Sequence, residues 1–140
     1  MNVVELINKV KELAIQHSLV HSAFDGDVYA NWNSKEIKYG SVNVGIETIQ
    51  RYENYIQYDV ILYYADRLLQ DNQNANAIYA DGINVLQSIL NQLEDELEIT
   101  YPIQYTPFTQ QFADYLAGVY CRVSIISEYP LGKCNLDYEE

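Results

Sequence analysis

Tyr55-Ile-Gln-Tyr-Asp-Val-Ile-Leu-Tyr-Tyr64 decides the fold. Side chains alternate across an extended chain, so Ile56, Tyr58, Val60, Leu62 and Tyr64 share one side while Gln57, Asp59, Ile61 and Tyr63 share the other. The first side is wholly apolar or aromatic and the second is half so, which places the strand in the middle of a sheet. Asp66-Arg67 closes it. Residues 71–76, rich in Asp and Asn, read as a loop, and a helix begins near Asn74. Ile78, Val85, Leu86, Ile89, Leu90, Leu93 and Leu97 recur at helical spacing along it. Gly82 weakens such a helix by about 1 kcal/mol relative to Ala, so close packing against the sheet is the expected reason for it.

Working outward, Val3, Leu6, Ile7, Val10, Leu13 and Ala14 form the apolar stripe of a helix over residues 2–17. Residues 22–33 combine Asp25-Gly-Asp27 with Phe24, Val28, Tyr29 and Trp32, which predicts a turn followed by a short strand. Over residues 37–48, Ile37 and Tyr39 lie on odd positions and Val42, Val44 and Ile46 on even ones, so the phase slip predicts a bulge at Gly40. Residues 51–54 then sit at the tip of a long hairpin with Tyr52 exposed. Pro102 and Pro107 mark residues 99–108 as an edge strand, because proline cannot donate to a ladder. A last strand covers residues 115–127. The order helix, strands, helix, strands predicts an α+β fold: an antiparallel sheet with a long β-hairpin and two helices packed on one face. The 140 residues fit a single domain, with 133–140 a loose acidic C-terminal tail.

Charge and composition exclude several classes of function. The net charge is −12, and residues 71–140 hold eleven acidic side chains against two basic ones, whereas residues 1–70 hold nine against six. Such a surface repels phosphate and anionic lipid, so binding to nucleic acid through a basic footprint is not expected. No apolar run approaches the roughly 20 residues of a membrane span, and the first residues lack the pattern of a signal peptide, which predicts a protein made and used in the cytoplasm or in a particle assembled there. The 14 tyrosines join apolar area to a hydroxyl that tolerates water and suit half-buried sheets and subunit interfaces.

Chemistry finds little to work with. Asp25-Gly-Asp27 lacks the alternating oxygen ligands and terminal glutamate of a calcium loop, and His17 and His21 carry no HExxH context. Cys121 and Cys134 show no zinc-ligand spacing and are expected to be reduced; Cys121 sits among alternating apolar residues, a small core side chain rather than a nucleophile. No phosphate loop or nucleophile elbow is present. The sequence therefore predicts no enzyme, no cofactor and no metal.

The run from Tyr58 to Asn74 follows the pattern YxxxxYYADRLLxDxxN ahead of a long amphipathic helix, and over residues 58–93 it resembles tail terminator and head-to-tail connector proteins of tailed bacteriophages, especially crAss-like and related Bacteroides phages. The resemblance implies a structural virion protein that forms a sixfold or twelvefold homo-oligomeric ring in the neck or tail, with portal, adaptor or tail proteins as neighbours and DNA passing through. It implies that Asp66 and Arg67 fix the strand-to-loop connection or contact a neighbouring subunit. Tyr52, Tyr55 and Tyr63 join them as interface candidates, because aromatic residues dominate interface centres. The alternative reading is a small acidic DNA mimic or inhibitor that occupies a host enzyme.

Overall fold

The computed structural model describes residues 1–34, 37–69, 73–112 and 114–128. Helix α1 spans Val3–Gln16 and opens on a capping box: the Asn2 side chain accepts from the Glu5 amide while the Glu5 carboxylate accepts from the Asn2 amide. Strands β2 (Ser41–Arg51) and β3 (Tyr55–Arg67) form the long hairpin, and β6 (Tyr115–Glu128) pairs antiparallel with β3 along its whole length, from Tyr55 opposite Glu128 to Arg67 opposite Leu116. Strand β3 is thus central, as its alternation predicts.

Helix α3 (Ala75–Leu93) lies with α1 on one face of the sheet. There Leu6, Val10 and Leu13 of α1 and Val85, Leu86, Ile89 and Leu90 of α3 bury against Val42, Val44, Val60, Leu62, Tyr64, Val119, Cys121 and Ile125. Gly82 faces β6 so closely that a Cβ on it would lie 2.5 Å from Val119 Cγ2 and 3.0 Å from the Tyr64 ring, which accounts for a glycine inside a helix. The α3 stripe stops at Leu93, and Leu97 follows in the turn that carries Glu94, Asp95 and Glu96.

The fold is α+β, and four details differ from the expectation. The sheet is mixed, because β1 (Ser22–Asp25) runs parallel to β2 with Ser22 opposite Ser41. This strand precedes the Asp-Gly-Asp turn, and a short third helix, α2 (Val28–Trp32), comes after the turn on the opposite face. Asp27 caps it by accepting from the Tyr29 amide at 2.9 Å, and the four-residue step puts both Val28 and Trp32 inward. The bulge lies at Glu47, between Ile46 opposite Val60 and Thr48 opposite Asp59, and not at Gly40, which precedes β2. Ile37 and Tyr39 have the other parity because they pack in the second core, on the far face from Val42 and Val44. Finally, the proline-bearing edge is two strands, β4 (Glu98–Ile99) and β5 (Thr106–Gln111), which pair with β6 at Ile125–Ile126 and at residues 115–120. The sheet order is β1-β2-β3-β6-β4, with β5 sharing the same side of β6 as β4. The expected acidic tail lies outside the described residues.

Candidate functional site

The Tyr63-Tyr64 pair serves two cores. Tyr64 points to the helices, and burial without a compensating charge drives its hydroxyl pKa far upward. Tyr63 points to the other face, where its ring meets Trp32 edge-on at 5.9 Å, Phe108 at 6.2 Å and Tyr120 at 5.6 Å. Trp32 is fully buried there and donates from Nε1 to Ser41 Oγ at 3.0 Å. The face expected to be free of helices is therefore covered at one end by α2 and its aromatic cluster.

Toward the hairpin tip the same face is open and polar. Arg122 Nε donates to both Glu47 oxygens, at 3.0 and 3.2 Å, and the guanidinium lies 5.4 Å from the Tyr120 ring centre. Ser124 Oγ and Gln57 Nε2 donate to Asp59 Oδ1 at 2.7 and 3.0 Å. These side chains line a shallow depression of about 300 Å³. Exposed pairs of this kind contribute roughly 0–1 kcal/mol each, so they orient the surface more than they stabilise it.

The tip itself is aromatic. Tyr52 N–H donates to the Tyr55 carbonyl at 2.8 Å, and the two rings stack at 4.6 Å with planes 20° apart. Ile49 is 53% exposed and Tyr52 36%. Strand β1 covers only Ser41–Val44 of β2, so among the described residues no strand pairs with the outer side of β2 beyond that point.

The other end of β3 carries Asp66-Arg67. Asp66 Oδ1 accepts from the Arg67 amide at 2.7 Å, and the Arg67 guanidinium reaches Asp114 at 3.5 Å while lying 4.8 Å over the Tyr39 ring. Tyr39 also donates to Asp114; burial and that carboxylate together raise its hydroxyl pKa. Asn74 completes the motif: its side chain accepts from the Leu69 amide at 2.8 Å and donates to the Arg67 carbonyl at 3.1 Å, tying the end of β3 to the start of α3. These contacts of the Asp66 and Arg67 side chains lie within the chain, and Asn74 supplies the tie between the strand exit and α3.

Four of the five interface candidates consequently form two groups. Tyr52 and Tyr55 mark the tip, whereas Asp66 and Arg67 lie eleven and twelve residues further along β3 from Tyr55, about 35–40 Å at about 3.3 Å per residue. Tyr63 sits between them, half-buried in the aromatic cluster. Glu47, Arg122, Tyr39 and Asp114 escaped the sequence reading. The off-core side of β6, with Arg122 and Ser124 facing the strand that bears Asp59, was the available signal.

Three of the residues weighed for chemistry make structural contacts, and Cys134 lies outside the described residues. Asp25 pairs with Lys11 at 2.8 Å, Asp27 caps α2, and His17 Nδ1 accepts from the Leu19 amide at 3.2 Å. Among the described residues no three His, Cys, Asp or Glu side chains converge as metal ligands, and no helix is long and apolar enough to cross a membrane. Cys121 is 1% exposed on the helix face, and burial pushes its thiol up to about 12. Native protein should therefore resist alkylation at Cys121 near neutral pH and react there only on unfolding, and Cys121→Ala should cost roughly 1–2 kcal/mol. Peptide mapping after brief exposure to a thiol reagent checks this; rapid native labelling would restore the nucleophile. Compared with known proteins, the chain matches no family model and no curated protein.

Proposed function

We propose that the chain is a structural, non-enzymatic virion protein that associates with copies of itself into a ring of the phage neck or tail, joining the portal side to the tail and leaving a passage for DNA. The observation that carries this reading is the hairpin. An eleven-residue β2 and a thirteen-residue β3 extend past the cover of β1 and end in an exposed tyrosine stack, a rigid amphipathic surface suited to a protein partner. The resemblance over residues 58–93 supports the same role: Tyr63-Tyr64, Asp66-Arg67 and Asn74 of that run build the strand, its exit and the entry to α3.

A ring of identical subunits, each with a net charge of −12, concentrates negative charge. DNA then slides past without adhering, and repulsion between subunits opposes closure. Salt screens that repulsion over about 10 Å at 0.1 M, so association should strengthen from low to moderate salt. Sedimentation velocity across a salt series reads this directly, and mass spectrometry of purified genome-filled particles reads virion membership. A chain absent from such particles and monomeric at every salt and protein concentration would overturn the proposal. Stoichiometric capture of a host nuclease by that monomer would favour the DNA-mimic alternative.

A further inference from the structure

Strand β2 changes character along its length. From Ser41 to Val44 it is buried and paired with β1, whereas residues 47–51 are exposed and, among the described residues, no strand pairs with their outer side. The main-chain groups of a strand alternate between its two edges. Val44 turns its carbonyl outward to the Gly26 amide, and Tyr52 turns its amide inward to the Tyr55 carbonyl. With the bulge at Glu47 between them, the amides and carbonyls of Ile46 and Ile49 point outward. Ile49 lies on the helix side, opposite Tyr58, and is 53% exposed. Such an edge is a template for pairing, and folded proteins cover or block it. The other edges of this sheet are short or defended. Strands β1 and β4 have four and two residues. In β5, Pro107 stands opposite Val119, whose own main chain turns to β3, so the missing N–H lies on the outer side.

We propose that residues 133–139 cover this edge as an antiparallel strand of the same chain. They lie outside the described residues, and their sequence, Lys133-Cys-Asn-Leu-Asp-Tyr-Glu139, alternates polar with apolar side chains at the period of a half-buried strand. Seven residues match the seven of β2 from Gly45 to Arg51. Direction and reach fit as well. Strand β6 runs parallel to β2 and ends at Glu128, opposite Tyr55 at the hairpin tip, so a chain that turns back there runs antiparallel to β2. Pro130 and Gly132 favour that turn. The five Cα steps from Glu128 to Lys133 span at most about 18 Å. Three strand spacings, from β6 past β3 and β2 to the outer edge, take about 14 Å. The result is a Greek-key order, with a fourth strand returning beside the first of three. Cys134, Leu136 and Tyr138 then fall on the helix side with Ile49, and Lys133, Asn135, Asp137 and Glu139 on the polar side with Thr48 and Gln50. The proposal stands independently of the ring reading.

Amide hydrogen exchange of the full chain, read by NMR, tests this. The Ile49 amide should be protected in the unmodified chain. Leu136→Pro removes an N–H and disrupts a ladder, and should speed exchange at Ile49 roughly tenfold or more while the Leu62 amide at the centre of the sheet stays as slow as before. Leu136→Val keeps the strand pattern and should preserve the protection. An Ile49 amide that exchanges freely in the unmodified chain would show the edge open, and one equally protected in Leu136→Pro would show it covered by something other than this segment; either result overturns the proposal. Protection that grows with protein concentration overturns it too, because it assigns the covering strand to another copy.

Discussion

Replacing Trp32 by Ala should lower the stability of the folded chain by about 3–5 kcal/mol, the range for deleting a large buried aromatic side chain. Trp32 is fully buried and touches Tyr63, Phe108 and Phe112 through ring contacts of 5.5 to 6.3 Å, so its removal opens a cavity in the middle of the second core. It also takes the partner from Ser41 Oγ, which is 1% exposed and bonded to the indole. Helix α2 is five residues long and, besides Trp32, is held by buried Val28, by the Tyr29 ring against Phe112 and by the Asn31 amide on Asn43 Oδ1, so loss of Trp32 should loosen it as well. Trp32→Phe separates the two effects: it keeps most of the ring contact and loses the hydrogen bond, and should cost roughly 1–3 kcal/mol. Urea denaturation followed by circular dichroism measures both variants. A loss below about 1 kcal/mol for Trp32→Ala would show that the second core does not hold the open face in place.

That helix also shows where sequence reasoning stops. Val28, Tyr29 and Trp32 favour strands, and a five-residue helix is too short for helical periodicity to outweigh that preference. The deciding signals are local: Asp27 as a cap and the four-residue step from Val28 to Trp32, both visible once a helix is entertained. The bulge is misplaced for a related reason. A change of parity reads as a defect within one strand, whereas Ile37 and Tyr39 lie in a loop that serves the opposite face. Strand β3, helices α1 and α3, the hairpin and β6 are legible because each pairs a long period with a clear apolar side. The surface is much less so. Glu47 and Arg122 meet across β3, above Ile61, and Tyr39 meets Asp114 from 75 residues away. Contacts between strands that are not neighbours, and between loops, depend on register and topology and leave no spacing to read.

Gly82 is where the sequence reading and the packing agree most closely, and its replacement tests both. An isolated helix gains about 1 kcal/mol from Gly→Ala. Here the added Cβ would sit 2.5 Å from Val119 Cγ2 and 3.0 Å from the Tyr64 ring, and overpacking of that order typically costs about 1–3 kcal/mol. Gly82→Ala should therefore be neutral to destabilising by about 2 kcal/mol, against the stabilisation expected of an exposed helical site. Gly82→Leu has no such compensation: four carbons must enter where one already collides, and α3 must lift from β6. A loss of about 3 kcal/mol or more, or failure to fold cooperatively, is expected. The obstacle nearest the new Cβ is a methyl group and not backbone, so Val119→Ala should restore part of the Gly82→Ala loss, giving a favourable coupling energy of about 0.5–3 kcal/mol in a double-mutant cycle. Chemical denaturation of the four proteins supplies the cycle. Additive effects, or a Gly82→Ala variant that gains the full helix-propensity increment, would mean that α3 stands further from β6 than this contact requires.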